Sequence, residues 1–181
     1  IEEYANDSSM KVVEATSLDE ALDAVKSVKA RSHNGNYVVY LDAGHDNTHT
    51  GARGVNGIKE ETYTLAIAQA CRDELQQYRN VEVHMCRDDS GSCPYPGTSS
   101  AQCNTNRVRD AASKGADLYI ALHLNSGTGN HSAHGAEVFV SNHSAYHNEG
   151  TNLANQILSQ LESLGLKNRG VKVRNTGEAN S

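Results

Sequence analysis

The chain has 181 residues, enough for one domain with a hydrophobic core and too few for two comfortable ones. Its apolar share of 37% indicates a globular protein, and its formal charge of −6 argues against nucleic acid as a partner. No apolar run is long enough to cross a bilayer, and no signal-peptide pattern opens the chain, which begins at Ile1. We therefore expect a processed or excised piece without a membrane span.

The first predicted element is a helix within an N-terminal extension, residues 1–36. Ser17 and Glu20 form a capping box, and apolar residues follow at helical spacing. An Asn-Gly-Asn turn at 34–36 ends this segment. We expect the functional domain to occupy residues 37–181.

Strands alternate with helices in the rest of the chain. Apolar and aromatic runs predict buried strands at 37–41 and 118–122, apolar residues alternating with polar ones predict a strand covered mainly on one face at 81–85, and a fourth strand is predicted at 136–140. Apolar residues at steps of three and four predict helices over about 60–78, 104–113 and 153–164. This alternation predicts an α/β fold with a twisted, mainly parallel sheet and helices on both of its faces.

Three potential metal ligands lie where these elements begin or end. His45 follows the first core strand and His123 closes a later one, so parallel strands bring both imidazoles to one edge of the sheet. Glu60 starts the helix after a glycine-rich loop, so its carboxylate can return to that edge. Two His and one Glu form a zinc ligand set that leaves a fourth position for water. Each residue also has an ordinary explanation: a hydrogen-bonded loop or core histidine, or a glutamate at the positive end of a helix dipole.

Other histidines are spaced so that they compete for a metal. His131 and His134 lie three residues apart, and His143 and His147 lie four apart. Their setting is rich in Asn and Ser, which favours a solvated surface. We therefore leave them out of the predicted ligand set.

The cysteines indicate an exported protein. None of the spacings among Cys71, Cys86, Cys93 and Cys103 is a CxxC, which disfavours a structural zinc site. A small, polar loop containing Pro precedes Cys103, and a cross-link would restrain it. We predict at least one disulfide and place it between Cys93 and Cys103; the alternatives are another of the three complete pairings that four cysteines allow, and buried or free thiols.

Three motifs resemble those of the zinc-dependent N-acetylmuramoyl-L-alanine amidases, the group called amidase 3. Val39–His45 (VYLDAGH) is similar to the family's strand ending in Asp-x-Gly-His, which delivers the first zinc ligand. Gly57–Glu60 (GIKE) is similar to the second-ligand motif, so we choose Glu60 over Glu61. Arg107–His123 (RVRDAASKGADLYIALH) resembles the segment that ends in the third ligand. The resemblance spans about residues 37–174.

The resemblance also concerns residues beyond the metal ligands. Asn125 occupies the position of a family Asn, which implies a role in substrate binding. The family places its general-base Glu in a C-terminal strand with a Val-Glu-x-x-Phe motif, and no such motif occurs in this sequence. Glu178 does not match it, so we assign no catalytic base. We expect the catalytic domain to be incomplete at its C-terminal end and the natural chain to continue past Ser181.

The function implied by the resemblance is zinc-dependent hydrolysis of the amide bond between N-acetylmuramic acid and L-alanine in peptidoglycan. The expected protein is a secreted or cell-wall-associated monomer that acts on muropeptides. Two alternatives stay open: a non-catalytic peptidoglycan-binding domain of the same fold, and another metallohydrolase such as a peptidase or deacetylase. Turnover of a purified muropeptide tests the first alternative, and analysis of the products tests the second.

Overall fold

The computed structural model describes residues 36–93, 95, 98–126, 134–144 and 146–173. These residues form two compact units, within 36–126 and within 134–173, each with its own parallel sheet. The predicted N-terminal helix lies outside the described residues. The boundary at residue 36 therefore stays a prediction.

The first unit contains a three-stranded sheet in the order β2-β1-β3. The central strand β1, Tyr37–Ala43, pairs in parallel with β2, Val81–Met85, and with β3, Leu118–Leu122. Every residue of β1 is buried, as its apolar and aromatic residues on both faces predict. β2 is only partly buried, in keeping with its alternating pattern. β3 ends at Leu122, so His123 follows the strand rather than closing it.

Two helices complete the first unit. α1, Glu60–Leu75, packs against all three strands and ends earlier than the predicted residue 78. α2, Ser100–Ser113, begins earlier than the predicted residue 104, because the Ser99 side chain caps it by accepting the N–H of Gln102. α2 is joined to β1 by the Tyr40 hydroxyl, which donates to the Asp110 carboxylate at 2.7 Å.

The second unit consists of β4, Ala136–Val140, α3, His147–Ser163, and β5, Asn168–Val173. β4 and β5 pair in parallel, and α3 packs against both strands. α3 begins six residues before its predicted start at 153. β5 was not predicted as a strand, because its largely polar sequence lacks a clear apolar period and includes Gly170 at a φ of 82°.

All strand pairings in these two sheets are parallel, and within each unit the strands alternate with helices. The predicted α/β fold with a mainly parallel sheet is therefore confirmed. Within the described part of the chain, no helix has the length and apolar character that spanning a membrane requires.

Candidate metal centre

The turn after β1 presents His45 in an uncommon backbone conformation. Its φ is 64°, in the left-handed region that residues other than glycine rarely adopt. The turn is held from two helices: Arg107 Nη2 of α2 donates to the His45 carbonyl at 2.9 Å, and Thr64 Oγ1 of α1 donates to the Gly44 carbonyl at 2.7 Å. Backbone strain that is maintained by surrounding contacts often marks a functional site.

Glu60 is the first residue of α1, and its side chain is buried. The backbone N–H of Ala52 donates to Oε2 at 2.7 Å, and that of Leu124 donates to Oε1 at 2.8 Å. Burial by itself raises the pKa of Glu60, but these hydrogen bonds and the contact with His123 outweigh it and hold the pKa below its ordinary value. The carboxylate is thus ionised and fixed in orientation.

The two predicted histidine ligands lie on either side of this carboxylate. His45 Nε2 is 3.3 Å from Oε2 of Glu60, and His123 Nδ1 is 3.1 Å from Oε1. The three donor atoms all lie within 4.8 Å of one another. Tetrahedral zinc with bonds of about 2.0–2.1 Å places neighbouring donors about 3.3 Å apart. The structure brings the predicted set together in a geometry that fits one zinc ion.

Exposure differs among the three side chains. Those of His45 and His123 are 30% and 46% exposed, whereas that of Glu60 is 5% exposed. The histidines therefore leave one side of the cluster open to water and to a ligand. The neighbouring Glu61 does not join the cluster, because its carboxylate pairs with Arg53 at 3.0 Å and accepts the N–H of Gly51.

Two glycines allow the backbone to pass close to the donor atoms. A Cβ at Gly51 would lie 2.5 Å from Glu60 Oε2 and 2.6 Å from His45 Cδ2. A Cβ at Gly44 would overlap the His123 ring. At either position a side chain larger than hydrogen would have to displace a member of the cluster.

Arg107 supports the cluster and was not singled out from the sequence. Its Nη1 donates to Asp42 Oδ1 at 2.8 Å, and its Nη2 reaches both the His45 carbonyl and Asp46 Oδ2, the latter at 3.1 Å. Burial by itself lowers the pKa of Arg107, but the Asp42 carboxylate outweighs burial and keeps the guanidinium charged. The sequence feature that could have identified Arg107 is its spacing. It lies four residues from both Cys103 and Ala111, so it shares the buried face of α2 with them.

The remaining predicted or excluded residues lie outside this cluster. Asn125 is exposed two residues beyond His123, and its role in substrate binding stays a prediction. His147 Nδ1 contacts the Ser141 carbonyl at 2.9 Å, and the His143 ring packs against Tyr146. His131 lies outside the described residues. Both His143 and His147 thus have local partners within the second unit.

A second group of donor atoms adjoins the same turn. Asp46, His49, Cys93 and Cys103 each contribute one donor atom, and these atoms lie within 4.8 Å of one another. The sulfur atoms of Cys93 and Cys103 are 3.0 Å apart, and both residues are thiols. A disulfide bond is about 2.05 Å long. The predicted Cys93–Cys103 disulfide is therefore not formed in this structure, although the two residues are neighbours.

Comparisons with known proteins agree with these features. Residues 39–180 match the family model Amidase_3, described as N-acetylmuramoyl-L-alanine amidase. The uncharacterized protein YqiI of Bacillus subtilis is 36% identical over 138 residues, which cover 74% of this chain and 59% of YqiI. The N-acetylmuramoyl-L-alanine amidase AmiA of Escherichia coli is 36% identical over 112 residues, which cover 62% of this chain and 35% of AmiA.

A solved structure supports the same relationship. The catalytic domain of CwlV, an N-acetylmuramoyl-L-alanine amidase from Bacillus (Paenibacillus) polymyxa var. colistinus, superposes with a TM-score of 0.60 at 26% identity. The match covers 77% of this chain and 70% of that domain. The chain spans 59% of YqiI and 35% of AmiA, and so represents only part of the length of these relatives. Because the family model matches most of the sequence, the chain belongs to the N-acetylmuramoyl-L-alanine amidase family Amidase_3.

Proposed function

We propose that this chain is a zinc hydrolase that cleaves the amide bond between N-acetylmuramic acid and L-alanine in peptidoglycan. The observation that carries the proposal is the convergence of His45, Glu60 and His123 at the carboxyl ends of β1 and β3. Family membership and the name of the relative AmiA support the substrate class. The nitrogen and carboxylate donors support zinc as the metal.

The ligand set suits hydrolysis as well as metal binding. When bound, a zinc ion supplies a Lewis acid that polarises a carbonyl oxygen and makes water nucleophilic at neutral pH. Glu60 is the only anionic member of the set, so the three ligands only partly neutralise a divalent ion. A zinc ion held by these three residues would keep a net positive charge, which would favour negative charge on the amide oxygen.

The residues of the chain orient the reacting groups. The N–H groups of Ala52 and Leu124 hold Glu60, and Arg107 holds the backbone of His45, so the ligands are ordered before substrate binds. The exposed sides of the two histidines leave room for the scissile carbonyl. We assign Asn125 to substrate binding, because a carboxamide both donates and accepts hydrogen bonds to peptide groups.

The setting of the proposed activity follows from its substrate. We assign the catalytic domain to residues 37–181 and treat residues 1–36 as an extension. Peptidoglycan lies outside the cytoplasmic membrane, so we propose a secreted or cell-wall-associated protein. One chain supplies all three ligands, which favours a monomer; light scattering after size-exclusion chromatography should give a mass near 19.5 kDa.

The test is the product analysis of a purified disaccharide-peptide muropeptide incubated with zinc-loaded protein. Mass spectrometry should detect a stem peptide with a new L-alanine amino terminus and a disaccharide with a free muramoyl carboxylate. His45→Ala should remove this activity. His84→Ala should retain it, because His84 lies on β2 and contacts Glu82 instead of the cluster.

Two results would contradict the proposal in different ways. Stoichiometric zinc binding with no detectable turnover, not even the slow hydrolysis expected from a zinc site without an assigned general base, would indicate a binding domain of the same fold. Cleavage within the stem peptide, or loss of an acetyl group from the sugar, would indicate another metallohydrolase.

A further inference from the structure

The group formed by Asp46, His49, Cys93 and Cys103 takes no part in the proposed reaction. Cys103 lies in the first turn of α2 and is buried, whereas Cys93 precedes α2 and is partly exposed. Their sulfur atoms are 3.0 Å apart. Two thiolates that bind one zinc ion at about 2.3 Å are about 3.8 Å apart in tetrahedral geometry. The sulfur pair is thus closer than a zinc site requires.

The other two members of the group already have partners. Asp46 Oδ2 pairs with the buried Arg107 guanidinium at 3.1 Å, and Oδ1 accepts the N–H groups of Thr48 and His49. His49 Nε2 lies 2.6 Å from the Thr98 carbonyl, and its Nδ1 lies 3.0 Å from Asp46 Oδ2. A metal ion would have to replace these contacts, which leaves the two sulfur atoms as the reactive part of the group.

We propose that Cys93 and Cys103 form a redox site, a dithiol that a small-molecule disulfide oxidises to an intramolecular disulfide. The proposal does not depend on the amidase activity. The protein then has two forms: the reduced dithiol form described above and an oxidised form with a Cys93–Cys103 bond.

The exchange proceeds in two balanced steps. The Cys93 thiolate attacks one sulfur of the oxidant, whose S–S bond breaks, and one thiol of the oxidant leaves. Cys103 then loses its proton and attacks Cys93 Sγ, which releases the second thiol. Two protein S–H bonds are lost, and the oxidant takes up both electrons and both protons. Burial and the contact with Cys93 raise the pKa of Cys103 to about 12, so the more exposed Cys93 is suited to the first attack.

The bond would restrain the chain segment that supports His49. The Thr98 carbonyl, which contacts His49 Nε2, lies between the two cysteines in sequence. His49 in turn contacts Asp46, the neighbour of the proposed ligand His45. Oxidation should therefore stiffen one support of the turn after β1. This structural consequence for the metal centre, unlike the redox site itself, rests on the proposed function.

The test begins with zinc-loaded protein reduced by a phosphine and then exposed to excess oxidised glutathione. After alkylation in denaturant without further reduction, peptide mapping should find Cys93 linked to Cys103, with Cys71 and Cys86 alkylated. The melting temperature should rise by about 5–10 °C and return to its starting value on reduction. Cys93→Ser should abolish the rise, whereas Cys71→Ser should preserve it because Cys71 lies on α1 outside the group.

Three outcomes would overturn the proposal. The first is full alkylation of both Cys93 and Cys103 after treatment with the oxidant. The second is a second zinc equivalent per chain, with both thiols protected from alkylation until a chelator is added, because this would identify a metal centre. The third is a disulfide that joins Cys93 to Cys71 or Cys86. None of these measurements uses muropeptide turnover, so they stand even if the proposed amidase activity fails its own test.

Discussion

Two groups of donor atoms flank the turn after β1, and each contains one buried carboxylate. Glu60 accepts hydrogen bonds from the backbone of Ala52 and Leu124 at 2.7 and 2.8 Å. Asp46 likewise accepts two backbone N–H groups from the following turn, at 2.7 and 2.8 Å. Each carboxylate also faces imidazole nitrogen at 3.0–3.3 Å. In these respects the two groups are built alike.

They differ in the cation that meets the carboxylate. Asp46 pairs with the buried guanidinium of Arg107, whereas the ion pairs of Glu60 among the described residues are those with His45 and His123. A carboxylate that the protein itself neutralises acts as a brace between elements. A carboxylate that faces two imidazoles with an open side is suited to a divalent cation. This difference supports the proposed metal binding at the Glu60 group and a supporting role for the Asp46 group in the turn.

The largest expected effect comes from removing an imidazole of the Glu60 group. His45→Ala and His123→Ala should each lose most of the bound zinc. They should lower kcat/KM on a muropeptide by at least about 10³-fold, because catalytic metal ions contribute several kcal/mol. Zinc content by mass spectrometry and turnover, measured on the same samples, test both effects.

The matched variant is His49→Ala, which removes the imidazole of the Asp46 group. It should retain one zinc per chain, because its ring contacts Asp46 and Thr98 rather than Glu60. Full zinc retention in His45→Ala, or complete zinc loss in His49→Ala, would reverse the assignment of the two groups.

The next largest effect concerns Arg107, which pairs with the buried carboxylates of Asp42 and Asp46. Arg107→Met should destabilise the protein by about 3–5 kcal/mol, because it leaves the buried carboxylates of Asp42 and Asp46 without their cation. Urea denaturation near pH 7 measures the free energy of unfolding. The control is Arg72→Met, which breaks a pair with the exposed Asp89 and should cost at most about 1 kcal/mol. Equal losses in the two variants would contradict the role of Arg107 as a brace.

A smaller effect tests how closely the backbone approaches the Glu60 group. Gly51→Ala places a methyl group against Glu60 Oε2 and His45 Cδ2. Overpacking of this kind costs about 1–3 kcal/mol, so zinc affinity should fall by about tenfold while the protein stays folded. Competition with a chromogenic chelator measures the affinity. Gly150→Ala is the control, because its Cβ would lie 3.6 Å from Val140, an ordinary contact; an equal loss of affinity there would contradict the explanation.

The site was predictable from the sequence where the positions of its residues follow from local structure. His45 and His123 follow strands whose apolar composition predicts burial, and parallel pairing brings their ends to one edge. Glu60 was predictable as the first residue of a helix. The resemblance of these segments to family motifs then distinguished Glu60 from Glu61, and the structure separates them in the same way.

The features that the sequence did not predict depend on contacts between distant parts of the chain. Arg107 reaches the His45 carbonyl across 62 residues, and no local pattern predicts which backbone group a buried arginine will meet. The left-handed backbone of His45 was missed for the same reason, since it is sustained by that contact. The strand β5 was not predicted, because Asn168–Val173 is a largely polar segment with a weak local preference for strand conformation. Its pairing with β4 outweighs that preference.

The smallest expected effect is the pH dependence of the Asp46 group. The side chain of Asp46 and the carbonyl of Thr98 raise the pKa of His49 above its ordinary value. A pKa raised by folding adds stability that is fully present below the unfolded value of about 6.5 and is lost as pH rises through the folded value. His49→Gln should therefore be less stable than the parent protein by about 1 kcal/mol near pH 6, and by less near pH 9.

The measurement is urea denaturation of both proteins at several pH values, which gives the difference in their free energies of unfolding. Both proteins keep the same zinc ligands, so the contribution of these ligands cancels in the difference. A difference that stays constant or grows with pH would show that the charge of His49 does not help to hold Asp46, and the brace would then rest on Arg107 alone.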